Sequence, residues 1–255
     1  MIRKSLIYKT GVEYGDYTLN HIQGCSHGCK YPCYAYMMAK RFGKVRSYEE
    51  WCCPQIVENT MELLDKELPK FRDRIELLHL CFTTDPFMYG REDIADLSVR
   101  ILQKANAHGV RCSVLTKGIL PASLSELPLD NEYGITVVSL NDDFIQQYEP
   151  GTAPILERIH ALKTLSARGC RTWVSIEPYP TPNMVSQNLS AILNEVSFAN
   201  KIIFGRLHYN KIVSAYPGYK DFYNQCANEV IQFCRHRQID YHIKKGTLNH
   251  TKLKT

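Results

Sequence analysis

The sequence has no long apolar run and no low-complexity stretch. None of its apolar segments approaches the ~20 residues that a transmembrane helix requires, so we expect no part of it to cross a bilayer. Residues 1–17 include basic side chains but no apolar stretch of signal-peptide length, and we therefore expect a cytoplasmic protein. We find no repeat of about 20 to 50 residues and no linker-like segment, which predicts a single domain.

Strong net charge is also lacking. The net charge of the 255 residues is +5, and 44% of them are hydrophobic against 22% charged, which excludes a disordered or collagen-like chain. A basic tail follows several tyrosines: its lysines are Lys244, Lys245, Lys252 and Lys254, and the tyrosines are Tyr209, Tyr216, Tyr219 and Tyr223. Two interpretations stay open, namely contact with nucleic acid through phosphates and stacked bases, or a solvated tail after a half-buried aromatic helix.

Cysteine, by contrast, is plentiful. The chain has ten cysteines, and without a secretion signal we do not expect them to form a disulfide framework. Cys25, Cys29 and Cys33 fall within nine residues, Cys52 and Cys53 are adjacent, and the other five stand alone. A tight group of thiolates in a reducing compartment predicts a metal centre.

Apolar and β-branched runs alternate with helix-like segments along the chain. Ile155, Ile159, Leu162 and Leu165, for example, recur at the three- and four-residue spacing of a helix. The predicted strands are Tyr17–Gln23, Leu77–Thr83, Cys112–Thr116, Ile135–Leu140, Thr172–Glu177 and Lys201–Gly205. The predicted helices lie near Ile56–Leu68, Glu92–Ala107, Ala153–Ala167, Met184–Phe198 and Asp221–Arg237. Six such units predict an α/β fold with a parallel sheet, either an open barrel or doubly wound, that binds ligands at the carboxyl ends of its strands.

The three close cysteines follow the first predicted strand, on a loop in which Gly24 and Gly28 permit tight turns. A structural zinc site usually has four ligands in two close pairs, and no fourth ligand lies nearby. A loop with three cysteines suits a cubane iron–sulfur cluster with one iron left open for chemistry. A zinc knuckle completed by a distant residue is the alternative.

The cysteine loop and the strand ends carry a family resemblance. The stretch TLNHIQGCSHGCKYPCYAY resembles radical S-adenosylmethionine (radical SAM) enzymes, most closely the branch that includes spore photoproduct lyase. Further matches run in order from about Tyr17 to Pro180, each near the end of a predicted strand. They are Phe82–Pro86, Leu115–Lys117, Val138–Leu140 with Tyr148–Gly151, and Ser175–Pro178.

The resemblance implies a fold and an activity. The fold is a partial (βα)6 TIM-like barrel in a single domain, with a core over about 17–205 and a carboxyl-terminal helix and basic tail over about 206–255. The activity is reductive cleavage of S-adenosylmethionine by a [4Fe–4S] cluster, which gives a 5′-deoxyadenosyl radical that abstracts hydrogen from an unidentified substrate. A low-potential electron donor of the flavodoxin or ferredoxin type is implied as a partner. The alternatives are a DNA photoproduct lyase-like repair enzyme and a non-catalytic iron–sulfur or zinc-binding module.

The resemblance also implies site residues. Cys25, Cys29 and Cys33 are the implied cluster ligands, and the implied S-adenosylmethionine-binding residues are Tyr34, Thr83, Thr84, Asp85, Lys117, Ser139 and Glu177. Within that set, the threonines and Asp85 are expected to bind the methionyl ammonium and Lys117 the methionyl carboxylate. Ser139 is expected to bind the ribose or the carboxylate, Glu177 a ribose hydroxyl, and the Tyr34 backbone the adenine. Ordinary turns and strand-end packing are the alternative for these positions.

Three further residues are candidates for contact with a substrate. Cys81 has the parity of Thr83 on its predicted strand, so it would face the barrel interior as a hydrogen donor, or else fill the core as a small apolar side chain. Arg206 and His208 follow the sixth predicted strand, where they would bind an anionic or hydrogen-bonding substrate or lie in a solvated loop.

The cysteine spacing departs from the family pattern. The family has three and then two residues between its cysteines, whereas this chain has three and then three. Pro32 stands before the third cysteine, where an aromatic residue is usual, and Tyr31 is displaced by one position. The loop must therefore bulge to keep Cys33 on its iron. Replacement of Cys33 by Cys52 or Cys53 is the alternative.

Overall fold

The alternation of strands and helices in the sequence is present in the computed structural model, which describes residues 1–11 and 13–249. The described residues form ten strands: β1 (Ile7–Lys9), β2 (Tyr17–Leu19), β3 (Ile22–Gln23), β4 (Gln55–Ile56), β5 (Leu78–Leu80), β6 (Cys112–Thr116), β7 (Glu132–Thr136), β8 (Arg171–Tyr179), β9 (Lys201–Arg206) and β10 (Asp240–Ile243). The α-helices of this part of the chain are α1 (Tyr34–Arg41), α2 (Tyr48–Trp51), α3 (Thr60–Phe71), α4 (Glu92–Ala107), α5 (Asp142–Tyr148), α6 (Ile155–Ala167), α7 (Leu189–Glu195), α8 (Lys211–Ala215) and α9 (Tyr219–Arg237).

Eight of the strands form one sheet, in the order β1-β2-β5-β6-β7-β8-β9-β10. The pairs from β2 to β10 are all parallel, and only the edge strand β1 is antiparallel to its neighbour. The short strands β3 and β4 pair separately. Because parallel strands end at the same edge, the segments that follow β2, β5, β6, β7, β8, β9 and β10 meet on one side of the molecule.

Asparagine side chains cap the amino-terminal ends of two helices on that side. The Asn141 side chain accepts a hydrogen bond from the Phe144 backbone N at 2.9 Å, and thereby caps α5. Asn210 caps α8 in the same way, through the backbone N of Ile212 at 2.8 Å. An asparagine at this position satisfies amide groups that have no partner within the helix, so these short helices begin immediately after the strand-end loops.

A continuous group of buried apolar side chains extends from Leu6 to Ile239 and joins the sheet to its helices. The amino-terminal strand β1 is tied to this core by the Glu67 carboxylate of α3. That carboxylate accepts hydrogen bonds from the backbone N of Leu6 at 3.1 Å and of Ile7 at 2.8 Å. Edge strand β1 is thus fixed by a side chain from a helix as well as by pairing with β2.

The predicted elements are present, with different bounds at several ends. The helix Glu92–Ala107 and the strand Cys112–Thr116 were predicted to the residue. The strand predicted over Tyr17–Gln23 is two separate strands, β2 and β3, because the buried polar residues Asn20 and His21 interrupt it. The sixth strand, β9, extends one residue beyond its prediction, to Arg206.

Two other strand predictions were wrong at their carboxyl ends. The strand predicted over Leu77–Thr83 ends at Leu80, because the next residue, Cys81, has a left-handed φ of 58°. The strand predicted over Ile135–Leu140 is β7, Glu132–Thr136, since the chain turns at Ser139 to enter α5. The helix predicted over Met184–Phe198 is limited to α7.

The carboxyl-terminal segment adds a strand that was not predicted. β10 pairs in parallel with β9, so Lys244 and Lys245 follow a strand end and do not belong to a free tail. Lys252 and Lys254 of the predicted basic tail lie outside the described residues. Among the helices described, none has the length and apolar character needed to cross a membrane.

Candidate functional site

The cysteine loop, residues 24–33, connects β3 to α1. Cys33 is the residue that precedes the first turn of α1, and Cys25, Cys29 and Cys33 are all free and partly buried. One side of the loop is fixed by the backbone N of Cys25, which donates to the Trp51 carbonyl at 2.8 Å. At the preceding position, a Cβ on Gly24 would lie 2.6 Å from that same carbonyl, so the close approach requires glycine.

The other side of the loop lies on the turn Tyr148–Gly151. The Lys30 backbone N donates to the Tyr148 carbonyl at 2.8 Å, and the Gly151 backbone N donates to the His27 carbonyl at 2.9 Å. A Cβ on Gly151 would lie 2.6 Å from the Ser26 carbonyl oxygen. The Glu-Pro-Gly sequence therefore serves as a platform for the cysteine loop.

His27, in the middle of the loop, is buried and bonded to groups other than the cysteines. Its Nε2 accepts a hydrogen bond from the Tyr89 backbone N at 3.0 Å, which leaves the proton on Nδ1, 3.4 Å from the Asp85 Oδ2. Burial lowers the pKa of His27, although the charge of Asp85 opposes this shift. The neutral ring thus joins the loop to the end of β5.

Asp85 is occupied by this and three other contacts. Its Oδ1 accepts from the Phe87 backbone N at 2.9 Å and from the Thr116 hydroxyl at 2.6 Å. Its Oδ2 accepts from the Lys117 backbone N at 2.8 Å and lies 3.4 Å from the His27 Nδ1. With three hydrogen bonds and the His27 contact, Asp85 joins the loop to the ends of β5 and β6.

The three cysteines fit an iron–sulfur cluster as a donor set. Burial raises the pKa of Cys25, and it raises that of Cys29 to about 12, with Lys117 acting in the opposite direction at Cys29. Binding of a metal would offset the free-energy cost of ionising these buried thiols. Over residues 1–11 and 13–249, no three His, Cys, Asp or Glu side chains are grouped to hold one metal ion. A cubane does not need such a group, because each cysteine binds a different iron.

A cavity of about 500 Å³ opens beside the cysteine loop, at the carboxyl ends of the parallel strands. It brings together Cys29, Cys33 and the adjacent Tyr34 with predicted residues from three other segments of the chain. Those predicted residues are Lys117, Glu177, Arg206 and His208. Predicted residues separated by as many as 179 positions, from Cys29 to His208, therefore face one space.

Glu177 lies on the cavity wall within a group of polar partners. Its Oε2 accepts a hydrogen bond from the Tyr14 hydroxyl at 2.8 Å and lies 4.0 Å from the Lys244 Nζ. Burial raises the pKa of Glu177, although Lys244 and Tyr14 oppose this shift. Its carboxyl group packs on Gly205, where a Cβ would lie 2.8 Å from the Glu177 Cδ.

Arg206 and His208 form another part of the wall. The Arg206 Nε lies 3.2 Å from the His208 Nδ1. Burial lowers the pKa of His208, and the nearby charges of Arg206 and Lys244 lower it further. Cationic groups therefore predominate in this part of the cavity.

A second cavity of about 250 Å³ adjoins the first, since Tyr34, Ala35 and Phe82 line both. Thr83 and Thr84 lie on its wall. The Thr83 hydroxyl donates to the Asn20 Oδ1 at 2.9 Å. The Thr84 Oγ1 is buried beside Cys81 and makes no hydrogen bond to a nitrogen or oxygen atom in the described part of the chain.

Four predicted residues line neither cavity as the described residues form them: Cys25, Asp85, Ser139 and Cys81. Ser139 is fully buried, and its hydroxyl accepts from the Asn141 backbone N at 3.0 Å. The prediction that Cys81 and Thr83 share one face of a strand is wrong, because β5 ends at Leu80 and Cys81 has a left-handed φ. Cys81 packs with Ile22, and its Sγ is 3.3 Å from the His21 Nδ1.

Sequence reasoning missed Tyr14 and did not place Lys244 and Lys245 at the site, although all three line the larger cavity. The signal for the lysines was a short alternating run, Asp240–Ile243, directly before them. Tyr14 had no sequence signal, because it reaches Glu177 from a loop 163 residues away.

Known proteins share both the sequence pattern and the fold of this chain. The family model of the radical SAM superfamily matches residues 19–190. "Uncharacterized protein ORF301" of Acidianus two-tailed virus is 25% identical over 197 residues, 73% of this chain, and the chain spans only 64% of that protein.

Solved structures resemble the fold. "Spore photoproduct lyase complexed with dinucleoside spore photoproduct" has a TM-score of 0.65 at 13% identity and covers 95% of this chain and 80% of its own. SuiB of Streptococcus suis, bound to S-adenosylmethionine, has a TM-score of 0.57 at 11% identity and covers 89% and 46%. The predicted α/β fold of the partial TIM-barrel kind is confirmed by these likenesses and by the mostly parallel sheet.

A Gly151→Ala substitution should displace the cysteine loop. The new Cβ would meet the Ser26 carbonyl at 2.6 Å, and because both groups belong to the backbone, the loop must move. We expect the affinity for iron to fall about tenfold, as when a group that supports a metal ligand is removed. Iron and sulfide per chain after anaerobic reconstitution measure this. Gly11→Ala, where no atom lies within 4 Å of the new Cβ, is the control; equal iron in both variants would contradict the prediction.

Glu177 should make stability depend on pH. Because its folded-state pKa lies above the ordinary value of 4.5, the folded chain binds more protons than the unfolded chain, and stability falls as pH rises from about 4.5 through the folded pKa. Glu177→Gln removes the titration and keeps an acceptor for Tyr14. The stability of this variant relative to wild type should therefore increase between pH 4 and pH 7 in urea unfolding. The exposed Glu62→Gln should show no such trend, and a flat difference for Glu177→Gln would refute the assignment.

Proposed function

Since the chain belongs to the radical SAM superfamily, we propose that it binds a [4Fe–4S] cluster through Cys25, Cys29 and Cys33 and acts on S-adenosylmethionine to abstract hydrogen from a substrate. When bound and reduced, the cluster would supply the electron that cleaves S-adenosylmethionine to methionine and a 5′-deoxyadenosyl radical. The chemistry belongs to the cofactors, and the protein binds and orients them.

One observation carries this proposal. The cysteine loop borders the larger cavity, with Cys29 and Cys33 in its wall, at the carboxyl ends of the parallel strands. Ligands of parallel α/β proteins bind at that edge. A cluster held by these cysteines would border a space of about 500 Å³, which is within the range of small-molecule sites.

The residues around the two cavities suit the parts of S-adenosylmethionine. We assign the methionyl ammonium to the Thr84 Oγ1 and to Thr83, and a ribose hydroxyl to the Glu177 carboxylate. The backbone of Tyr34, which lines both cavities, is assigned to the adenine edge. Asp85 and Ser139 act on this site indirectly, through the loop and the turn that they hold.

Arg206 and His208 are assigned to the substrate. They line the same cavity as the cysteines, and a cation and an imidazole there can bind an anionic or hydrogen-bonding group. We further propose a low-potential electron donor of the flavodoxin or ferredoxin type as the source of the electron.

Cleavage of S-adenosylmethionine should require the third cysteine. After anaerobic reconstitution and reduction with dithionite, the wild-type chain should form 5′-deoxyadenosine, and Cys33→Ala should form none because an iron loses its ligand. Chromatography of the nucleoside product is the measurement. Cys53→Ala, which removes an exposed thiol, should keep wild-type activity, and loss of product there would make Cys53 the third ligand instead.

Cys52→Ala decides the alternative ligand. Cys52 packs in the same small apolar group as Cys25 and Cys33. Loss of product in Cys52→Ala, together with full activity in Cys33→Ala, would show that Cys52 is the third ligand in place of Cys33. An intact cluster without cleavage, in the presence of candidate substrates, would favour a non-catalytic module. Zinc in place of iron would overturn the proposal.

A repair activity on nucleic acid is the second candidate, and the charge of the cavity wall favours it. Arg206, Lys244 and Lys245 line the cavity, and the Tyr209 side chain beside them is 73% exposed. Cations and an exposed ring suit a phosphodiester and a base. The similar spore photoproduct lyase structure contains a dinucleoside photoproduct, which suggests a DNA lesion as the substrate to test first.

Binding of oligothymidylate tests this second candidate. Double substitution of Arg206→Gln and Lys245→Gln should reduce the slope of log affinity against log salt by about 0.7 for each phosphate that the variant no longer neutralises. Fluorescence anisotropy at several salt concentrations measures the slope, with the exposed Lys70→Gln as the control. Equal slopes, or no loss of photoproduct from irradiated DNA with the loaded and reduced enzyme, would exclude this function.

A further inference from the structure

Tyr31 lies between the second and third cysteines, separated from the third by Pro32. Tyr31 is buried beneath the loop, and its ring stacks on that of Tyr148 with 6.3 Å between centroids. Its hydroxyl donates to the Glu149 Oε1 and accepts from the Lys117 Nζ. An aromatic residue within the cysteine loop thus reaches the interior and contacts two buried charges.

Glu149 is held in place by a buried guanidinium. Its Oε2 lies 3.1 Å from the NH2 nitrogen of Arg158 and 3.2 Å from the NH1 nitrogen. Arg158 is fully buried and uses its other donors on the Ala153 carbonyl at 2.8 Å, the Thr136 carbonyl at 3.1 Å and the Thr152 hydroxyl. The Glu149 carboxylate therefore cannot turn away from Lys117 without leaving a buried cation unpaired.

Lys117 completes the group. Its Nζ lies 2.8 Å from the Glu149 Oε1 and 3.8 Å from the Cys29 Sγ, and 4.7 Å from the centroid of the Tyr31 ring. The ammonium group is thus fixed against a cysteine sulfur by three contacts. Two cations surround one carboxylate here, so the group presents a net positive charge to the thiolate of Cys29.

We infer that Lys117 is a cation that raises the reduction potential of the cluster bound at Cys29, and that Tyr31 and Glu149 are positioning residues for its ammonium group. This inference rests on the proposed function. Reduction adds one negative charge to the cluster, and a cation or hydrogen-bond donor at a ligand sulfur stabilises the reduced form more than the oxidised form. In this loop the Tyr31 hydroxyl contacts both Lys117 and Glu149, which also contact each other.

A redox titration of the loaded protein without S-adenosylmethionine tests the inference. The electron paramagnetic resonance signal of the reduced cluster gives the midpoint potential. For Lys117→Met we expect the ratio of reduced to oxidised cluster at a fixed potential to fall at least about tenfold, or 59 mV for one electron. Tyr31→Phe should shift the midpoint in the same direction by less, and Lys117→Arg should restore part of the shift.

Lys30→Met is the matched control, because it removes the same charge from an exposed position in the same loop. Its midpoint should equal that of wild type. An unchanged midpoint in Lys117→Met overturns the inference, and unchanged potential with weakened S-adenosylmethionine binding identifies Lys117 as a cofactor ligand instead. If Lys117→Met cannot be loaded, an unchanged midpoint in Tyr31→Phe and Lys117→Arg overturns it equally. Wild-type protein that takes up no four-iron cluster would overturn the proposed function itself.

Discussion

The candidate site depends on the buried ion pair between Glu149 and Arg158. Both side chains are shielded from solvent, and burial by itself would raise the pKa of Glu149, but Lys117 and Arg158 outweigh it and lower the pKa to about 2. Removal of one partner from such a pair costs about 3–5 kcal/mol, because the other charge stays buried without compensation. The turn that contains Glu149 is therefore a rigid support, and the cysteine loop rests on that turn through both backbone and side-chain contacts.

A second group of contacts, centred on Asp85, holds the cysteine loop from another side. Asp85 connects His27 of the loop to Thr116 and to the backbone of Lys117, and so links three chain segments through one carboxylate. The contacts of Asp85 and those of Glu149 both involve the end of β6, because the Lys117 backbone contacts Asp85 and its side chain contacts Glu149. The position of the cysteine loop relative to the strand ends is thus determined by acidic groups that are not part of the cavity wall.

The acidic residues near the strand ends have different surroundings because some support the loop and one faces the cavity. Asp85 and Glu149 each contact several donors or cations, whereas the Glu177 side chain is partly exposed in the cavity and has a raised pKa. The first two carboxylates hold the backbone of the loops in place, and the carboxylate of Glu177 remains able to bind a molecule in the cavity. The same contrast separates Arg158, which is buried among fixed acceptors, from Arg206, which lines the cavity.

The sequence by itself determined the strand–helix alternation, the parallel fold and the three cysteines of the loop, because local apolar periodicity and close cysteine spacing are properties of short segments. It also predicted seven of the twenty residues that line the larger cavity, through the family resemblance and because the carboxyl ends of parallel strands meet. Tertiary structure alone decided that Asp85 holds the loop and that Cys81, in a left-handed conformation, packs away from the cavity. It alone brought Tyr14 and Lys244 to Glu177, and Tyr31 and Glu149 to Lys117. Such contacts join residues from 32 to more than 160 positions apart, so no local pattern records them, and their partners are set by how the loops pack over the end of the sheet.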